Sequence, residues 1–340
     1  MNKFENKNII LSLIIIVFLL IVPLFFYPPA QGNFNRYLSG NPEDVNPPLS
    51  GFVYNLGGGG TDIDSAIQWM INTVRGCTNC QTTVDIVVIR DTGGDGYNQP
   101  ILQMEGVNSV ETLIISRRQD ANNSDFIQAI QQAEVIFFAG GDQCEYVRNY
   151  RNTALETAVK SVINRGGAVG GTSAGAMIQS DFVFNACGDS TYSKKALSNP
   201  YEDIHLTSDF FDWKYLENTV IDTHFSQRDR MGRLMTFLAR LIRDGETSSA
   251  LGIGIDEETS LIVDQTGLAQ VMGKGSVYFV LAEHFPERCE PQTSLIFKNY
   301  KVWRKRPGEH FNLAHLSQQD YQLISVNKGQ LSAYYTENRK

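Results

Sequence analysis

Along most of the chain, short apolar runs alternate with stretches in which apolar residues recur every three or four positions. The runs VDIVVIR and EVIFFAGG are continuous, which is typical of strands covered on both faces. The stretches IDSAIQWMINTV, NSDFIQAIQQA and ALETAVKSVINRGG have helical spacing; Asn123 or Ser124 suits the N-cap of the second, and glycines end the third. Strands that alternate with helices of this length predict an α/β fold with a mostly parallel sheet sandwiched by helices.

The pattern changes at both ends of this regular region. Towards the C-terminus, AQVMGKGSVYFVL and SLIFKNYKVWRKRPGEHFNL indicate additional β-hairpins. On the N-terminal side of the regular region, residues 31–50 are polar and contain prolines, so we interpret them as a linker. We therefore predict a single α/β domain over residues 51–340.

The N-terminus differs from the rest of the chain. Residues 9–27 carry no charge and follow a short segment that contains Lys3 and Lys7. This length lies between a secretory signal core and a membrane-spanning helix. We expect residues 1–30 to be a signal peptide or an N-terminal membrane anchor, with cleavage left open. The protein is then exported, to a periplasmic or extracellular location, and meets a membrane only through this segment.

Charge and cysteine content exclude several classes of protein. The net charge of −8 argues against a nucleic-acid partner, which calls for a basic surface. Cys77 and Cys80 form a single C-x-x-C pair, whereas a zinc ribbon needs two, so we expect a local disulfide and no metal. The other three cysteines are isolated in sequence, and the odd total of five leaves at least one thiol unpaired within the chain.

Glycine-rich stretches follow several predicted strands. In an open α/β sheet, ligands bind beyond the carboxyl ends of the strands, so these stretches should converge in space. None has the spacing of a dinucleotide or phosphate loop, and close packing of loops is the favoured interpretation of the first. The stretches are LGGGGTD (56–62), RDTGGDGYN (90–98), FAGGDQ (138–143) and GGTSAGA (170–176).

The last stretch contains GTSAG, which fits the G-x-S-x-G elbow that exposes a nucleophilic serine between a strand and a helix. Ser173 is the candidate nucleophile, with the Ala174 N–H as one oxyanion donor and Gly141 or Asp142 as the second. The alternative is a serine that only caps its own helix.

A nucleophilic serine needs a base and an acid that orients the base. Of five histidines, His224 has the most suitable position, directly after an apolar strand; the others lie in loop-like or hairpin-rich stretches. Asp256, Glu257 and Glu258 end another glycine-punctuated strand and are all candidate acids.

Together, the motifs GGTSAGAM, FFAGGDQ, DTHFSQRDRMGRL and LGIGIDEETSLIV resemble the cyanophycinase family of serine peptidases, also called family S51. RDTGGDGYN resembles a stretch of its exported members, and the similarity runs from about residue 51 to 285. The resemblance implies a fold like that of class I glutamine amidotransferases. It also implies a triad of Ser173, His224 and Glu257, with Asp256 and Glu258 as substitutes for the acid.

The same resemblance implies a substrate groove, no cofactor and a possible homodimer. The groove residues would be Gln143, Asp222, Arg228, Arg230 and Arg233, although the arginines alone would equally suit ion pairs on an exposed helix. The expected substrate is a peptide or polypeptide with aspartate and arginine character, cut at aspartyl or β-aspartyl bonds. Small aspartyl dipeptides, a binding protein without turnover, and an esterase of α/β-hydrolase type are the alternatives.

Two positions depart from the family pattern. Thr223 stands between Asp222 and His224 where the family usually has glutamine, and Asp229 stands where glycine is common. These changes leave the expected triad intact and bear on the substrate.

Overall fold

The computed structural model describes residues 35–188 and 190–333. The expected signal or anchor at 1–30, including the apolar run 9–27, lies outside the described residues. Within the described part of the chain, no helix is long and apolar enough to span a membrane. Residues from Asn35 onward form one compact unit.

The strands follow one another along the chain in an order that builds two main sheets and a small third one. They are β1 (Arg36–Gly40), β2 (Val53–Gly57), β3 (Val84–Arg90), β4 (Val107–Ile114), β5 (Val135–Phe138), β6 (Ala168–Thr172), β7 (Val183–Phe184), β8 (Leu206–Thr207), β9 (Thr219–Asp222), β10 (Ala250–Ile255), β11 (Thr259–Val263), β12 (Leu268–Gly273), β13 (Val277–Ala282), β14 (Phe297–Lys305), β15 (His310–Asn312), β16 (Gln322–Asn327) and β17 (Gln330–Leu331).

The helices lie between these strands, most of them in the first half of the chain. They are α1 (Asp64–Val74), α2 (Asn98–Leu102), α3 (Ser124–Gln132), α4 (Gln143–Tyr150), α5 (Ala154–Asn164), α6 (Ala174–Met177), α7 (Ser193–Ser198) and α8 (Met231–Arg243), with a 3₁₀ turn at Asp120–Asn122. The Asn123 side chain caps α3 by accepting the backbone N–H groups of Asp125 and Phe126.

The central sheet has the order β1-β4-β3-β5-β6-β2-β11-β12-β15 as far as the structure describes the chain. Its block from β4 to β2 is parallel, and antiparallel strands extend both edges. Alternate residues of β3 and β5 join apolar clusters on opposite faces: one contains residues of α1 and α2, the other residues of α3 and α5. This confirms the predicted α/β fold with a mostly parallel sheet between helices.

The second main sheet has the order β17-β16-β14-β13-β10-β9 within the described residues. Strands β9 and β10 are parallel, and the neighbouring pairs from β10 to β17 are antiparallel. Helix α8 packs against this sheet, and its residues from Met231 to Ile242 are almost all buried. The extra hairpins expected towards the C-terminus are therefore present.

One strand lies inside the segment interpreted as a linker. β1 pairs antiparallel with the edge strand β4, and its residues alternate between exposed and half-buried. An edge strand is held through its backbone hydrogen bonds, so its side chains can remain polar and give little pattern to recognise. The Arg36 guanidinium also pairs with the Glu111 carboxylate on β4. The domain therefore begins before residue 51.

Two disulfides are present in the described part of the chain. Cys77 pairs with Cys80 in the connection from α1 to β3, and Cys144 pairs with Cys187, while the Cys289 thiol is free and buried. The second pair joins two cysteines that are isolated in sequence, 43 residues apart. Only the folded chain brings them together, since neither has a local partner.

Candidate active site

Ser173 lies in a sharp turn between β6 and α6, with backbone angles φ 55° and ψ −122°. A positive φ is costly for a residue with a side chain, so the surrounding packing must hold this turn. The glycines two before and two after Ser173 make the turn possible. A Cβ on Gly171 would lie 2.4 Å from the carbonyl oxygen of Gly175, and one on Gly175 would lie 2.2 Å from that of Phe138.

Ser173, His224 and Glu257 form a continuous hydrogen-bonded chain. The Ser173 Oγ is 2.7 Å from His224 Nε2, and His224 Nδ1 is 2.6 Å from Glu257 Oε1. Because a carboxylate only accepts, Nδ1 carries the proton towards Glu257 and Nε2 is free to accept the serine proton. This is the arrangement that can turn a hydroxyl into a nucleophile.

The tetraglycine loop Gly57–Gly60 connects all three segments through its carbonyl groups. The backbone N–H of Ser173 donates to Gly57, that of His224 to Gly58 and that of Glu258 to Gly59, at 2.8–2.9 Å. All three donors have positive φ, at 55°, 47° and 52°. The loop therefore fixes three strained turns at once.

The loop can approach so closely only because it has no side chains. A Cβ on Gly58 would lie 1.8 Å from the Asp256 carbonyl oxygen, and one on Gly59 would lie 2.3 Å from His224 Cε1. Gly59 also has φ +91°. Close packing is what the glycine run predicts for this loop, but a glycine run alone does not show which segments its carbonyls contact.

The three neighbouring acids have different partners. Glu257 contacts His224, whereas the Asp256 carboxylate accepts from the Ser226 backbone and hydroxyl and from the Ser276 backbone. Glu258 pairs with Lys274 at the surface. In the structure, Glu257 therefore occupies the position beside the imidazole, and Asp256 fixes the adjoining turn.

The pKa of His224 is lowered from its ordinary value of 6.5. Burial of the imidazole is the main cause, and the positive charges of Arg228 and Arg230 add to it. The hydrogen bond and charge of Glu257 oppose these effects. The imidazole thus remains neutral, and able to accept a proton, to a lower pH than a free histidine.

The FAGGDQ segment lies beside Ser173. A Cβ on Gly140 would be 3.5 Å from the Ser173 Cβ, and one on Gly141 would be 2.4 Å from the Asp91 Oδ1. Gln143 begins α4, and its Nε2 lies 3.8 Å from the Met177 sulfur on α6. Ala174, the other expected oxyanion donor, begins α6 directly after Ser173. The four glycine-bearing loops therefore converge on one edge of the sheet. The RDTGGDGYN loop reaches this edge through Asp91, which lies beside Gly141.

Two of the expected groove residues are buried instead. Asp222 and Arg233 are 0% and 1% exposed and form a bidentate pair, with Arg233 Nε 2.7 Å from Asp222 Oδ2. Arg233 also donates to the Thr191 carbonyl and lies over the Phe184 ring. This buried ion pair supports the segment that contains His224. Both were expected in the groove because helical spacing alone cannot tell a buried arginine from an exposed one.

Arg228 and Arg230 lie on the open side of the same segment. Arg228 is exposed, and Arg230 is partly buried and donates to the Thr223 carbonyl and the Asp222 carboxylate. Burial lowers the pKa of Arg230 from its ordinary value to about 10. Arg228 is therefore the cation of this set that is open to solvent.

The two unusual positions have clear local environments. Thr223 is fully buried, and within the described residues its Oγ1 has no hydrogen-bond partner. Asp229 has φ +50°, which explains why glycine suits this position and why an aspartate, which tolerates a left-handed turn, can replace it.

The remaining histidines take no part in this cluster. The His284 ring stacks on Phe297 and hydrogen-bonds backbone carbonyls. His310 lies in β15, which pairs with β12. His205 and His315 lie in loops. Across residues 35–188 and 190–333, no group of three or more His, Cys, Asp or Glu side chains is arranged to hold a metal ion.

Comparison with known proteins gives a consistent result. The family model for peptidase family S51 matches residues 99–271. A cyanophycinase of Trichormus variabilis is 27% identical over 219 residues, which is 63% of this chain and 68% of that protein. A cyanophycinase of Geminocystis herdmanii is 26% identical over 188 residues, 55% of this chain and 63% of that protein.

A solved structure supports the fold. The crystal structure of a peptidase from an acI-B1 Actinobacterium superposes with a TM-score of 0.53 at 19% identity, and covers 78% of this chain and 98% of its own. At this identity the likeness concerns the fold alone.

Replacement of Gly59 by alanine tests the role of the tetraglycine loop. The added Cβ would occupy space 2.3 Å from His224 Cε1, so the imidazole must move away from Ser173. We expect labelling of Ser173 by a fluorophosphonate probe to slow by about 10²-fold, as for other displacements of about 1 Å in catalytic geometry. Gly94→Ala, where no atom lies within 4 Å, is the matched control. Equal labelling rates for both variants would contradict this role.

Replacement of Asp222 by asparagine tests whether this residue supports the fold. The change leaves the buried Arg233 charge uncompensated, so the free energy of unfolding in urea should fall by about 3–5 kcal/mol. Asp212→Asn, which breaks an exposed ion pair with Lys160, should change it little. A stable Asp222→Asn protein with altered substrate binding would instead assign Asp222 to the groove.

The pH dependence of Ser173 labelling tests the electrostatics at His224. Since the pKa of His224 is lowered, the labelling rate should reach half its plateau below pH 6.5 and rise with pH through that midpoint. Arg228→Gln removes a nearby positive charge and should raise this pKa, which moves the midpoint to higher pH. Arg243→Gln, whose side chain pairs with Glu290, serves as the control. A midpoint that stays in place or falls in Arg228→Gln would refute the assignment.

Proposed function

The chain belongs to peptidase family S51 and is a serine peptidase, and we propose that it cleaves aspartyl or β-aspartyl bonds through a Ser173–His224–Glu257 triad. The observation that carries the proposal is the hydrogen-bonded chain from the Ser173 Oγ through both ring nitrogens of His224 to Glu257. A binding protein without turnover would have no need for this geometry or for the strained serine turn.

In the proposed reaction, His224 Nε2 takes the Ser173 proton while the Oγ attacks the substrate carbonyl carbon. The backbone N–H groups of Ala174 and Gly141 then stabilise the negative oxygen of the tetrahedral intermediate. His224 returns the proton to the departing amine, the C–N bond breaks and an ester on Ser173 remains. A water molecule, deprotonated by His224, hydrolyses this ester and restores the hydroxyl.

The proposed substrate class follows from the relatives and from the charges at the site. The similar proteins named above are cyanophycinases, and cyanophycin is a polyaspartate with arginines joined through its β-carboxyls. The exposed Arg228 and the partly buried Arg230 lie near His224, where they can pair with substrate carboxylates. Gln143 follows the Gly140–Asp142 segment that lies beside Ser173, and its amide can bond a polar group of the substrate.

We also infer export of the protein. Residues 9–27 form an uncharged apolar run. The disulfides Cys77–Cys80 and Cys144–Cys187 are typical of an oxidising compartment and support this interpretation. An exported enzyme of this class would meet its polymer outside the cytoplasm.

The full chain and its Ser173→Ala variant should be incubated with insoluble cyanophycin and with β-Asp-Arg dipeptide, and the released amines followed. We expect Ser173→Ala to lose activity by about 10⁴-fold or more, as for other serine nucleophiles. Ser124→Ala, an exposed serine at the start of α3, should remain fully active.

The outcomes separate mechanism from substrate. Release from the polymer that depends on Ser173 supports the complete proposal, and cleavage of the dipeptide alone shifts the substrate to small aspartyl peptides. If neither is cleaved but a phosphonate still labels Ser173, the substrate assignment is wrong. If Ser173 is not labelled, the catalytic assignment is wrong as well.

A further inference from the structure

The Cys144–Cys187 disulfide lies at the proposed active site. Cys144 is the second residue of α4, and its backbone N–H donates to the Asp142 carboxylate that caps this helix, at 2.8 Å. The Gly140–Gln143 loop, which we define as residues 140 to 143, comes directly before it. A Cβ on Gly140 would lie 3.5 Å from that of Ser173. The disulfide is thus anchored at the end of the loop that faces the nucleophile.

The other cysteine belongs to a segment attached to the opposite side of the site. Beyond Cys187, the Thr191 carbonyl accepts from Arg233 Nη1 at 3.0 Å. The Ser193 hydroxyl donates to the Asp229 carbonyl and accepts from the Arg233 backbone N–H. Arg233 in turn holds Asp222, two residues before His224. The disulfide therefore connects the loop beside Ser173 with the elements that support His224.

The Gly140–Gln143 loop has little else to keep it in place. Its two glycines have no side chains to pack, and Gly141 and Asp142 are exposed. Glycine loses the most backbone freedom when it is ordered, so a loop of this composition tends to move. The buried Asp91 carboxylate lies beside Gly141, and the Tyr146 hydroxyl donates to the Ala139 carbonyl just before the loop. The second half is joined to the N-terminus of α4, which Asp142 caps, and the disulfide ties this end of the helix to Cys187.

We propose that the Cys144–Cys187 disulfide positions the Gly140–Gln143 loop against Ser173, so that rapid turnover requires this pair in its oxidised form. The proposal rests on the proposed function, because the loop supplies the Gly141 oxyanion donor and Gln143. The other disulfide, Cys77–Cys80, provides a comparison within the same chain. Cys77 and Cys80 lie before the start of β3, at the end of the parallel strands opposite to Ser173.

The test compares two double variants of the full chain, Cys144→Ser/Cys187→Ser and Cys77→Ser/Cys80→Ser. In the first variant, kcat should fall by about 10- to 100-fold, and KM should change less. This fall is at most similar to the decrease in kcat that follows removal of one oxyanion donor. In the second, kcat should remain within about twofold of the wild type, since its disulfide touches no part of the site. Far-UV circular dichroism checks that both are folded at the assay temperature.

If the Cys144→Ser/Cys187→Ser variant fails to fold, a second measurement tests the proposal in its place. The Cys77→Ser/Cys80→Ser protein retains a single disulfide within the described residues, and Cys187 is exposed to reductant. Dithiothreitol reduces this bond to two thiols and is itself oxidised to its cyclic disulfide. We expect kcat to fall in proportion to the reduced fraction, measured by alkylation and mass spectrometry.

Unchanged kcat after removal or reduction of Cys144–Cys187 would overturn the proposal, and so would equal losses in both double variants. Should the wild type show no Ser173-dependent hydrolysis, the proposed function fails and hydrogen exchange decides the role of the disulfide. Faster amide exchange in peptides covering residues 139–146 of the reduced protein then supports positioning of the loop. Unchanged exchange there rejects it.

Discussion

The site depends on three consecutive backbone carbonyls. Gly57, Gly58 and Gly59 accept the N–H groups of Ser173, His224 and Glu258, three residues far apart in sequence and all in the left-handed region. Each such turn is unfavourable alone by about 1–3 kcal/mol, and here all three are stabilised by the same short loop. Because the loop has no Cβ atoms, it comes close enough to form these bonds. A Cβ added at Gly58 or Gly59 would collide with Asp256 or with the His224 ring.

Buried charged side chains also hold the segments that contain His224 and Glu257. The Asp222–Arg233 pair is removed from solvent beneath the segment that carries His224, and Asp256 binds three donors in the turn before Glu257. Such pairs contribute little net stability, but removal of one partner is costly because the other remains buried and unpaired. They therefore fix where the His224 and Glu257 side chains lie. Arg228, on the exposed side, remains available to tune the pKa of His224.

The sequence was sufficient where the signal is local. The continuous apolar runs predicted the central strands, the glycines around Ser173 predicted its turn, and the position after a strand singled out His224, the histidine that lies beside Ser173. It was insufficient where the outcome depends on the packing of distant segments. Three adjacent carboxylates give no local signal of which one faces His224, so the folded geometry is needed to separate Glu257 from Asp256 and Glu258. The burial of Arg233, the Cys144–Cys187 pair and the edge strand β1 likewise depend on contacts between segments that no local pattern encodes.

The three members of the proposed triad come from different parts of the fold. Ser173 ends a strand of the central sheet and His224 follows β9 of the second sheet. Glu257 lies in the short link from β10 to β11, where the chain crosses between the two sheets. The acid therefore reaches the imidazole only when the link is complete and both sheets are in place. A chain that ends before Glu257 lacks the last member of the Ser173–His224–Glu257 hydrogen-bonded chain, so this arrangement can form only after the strands on both sides of the link have been synthesised.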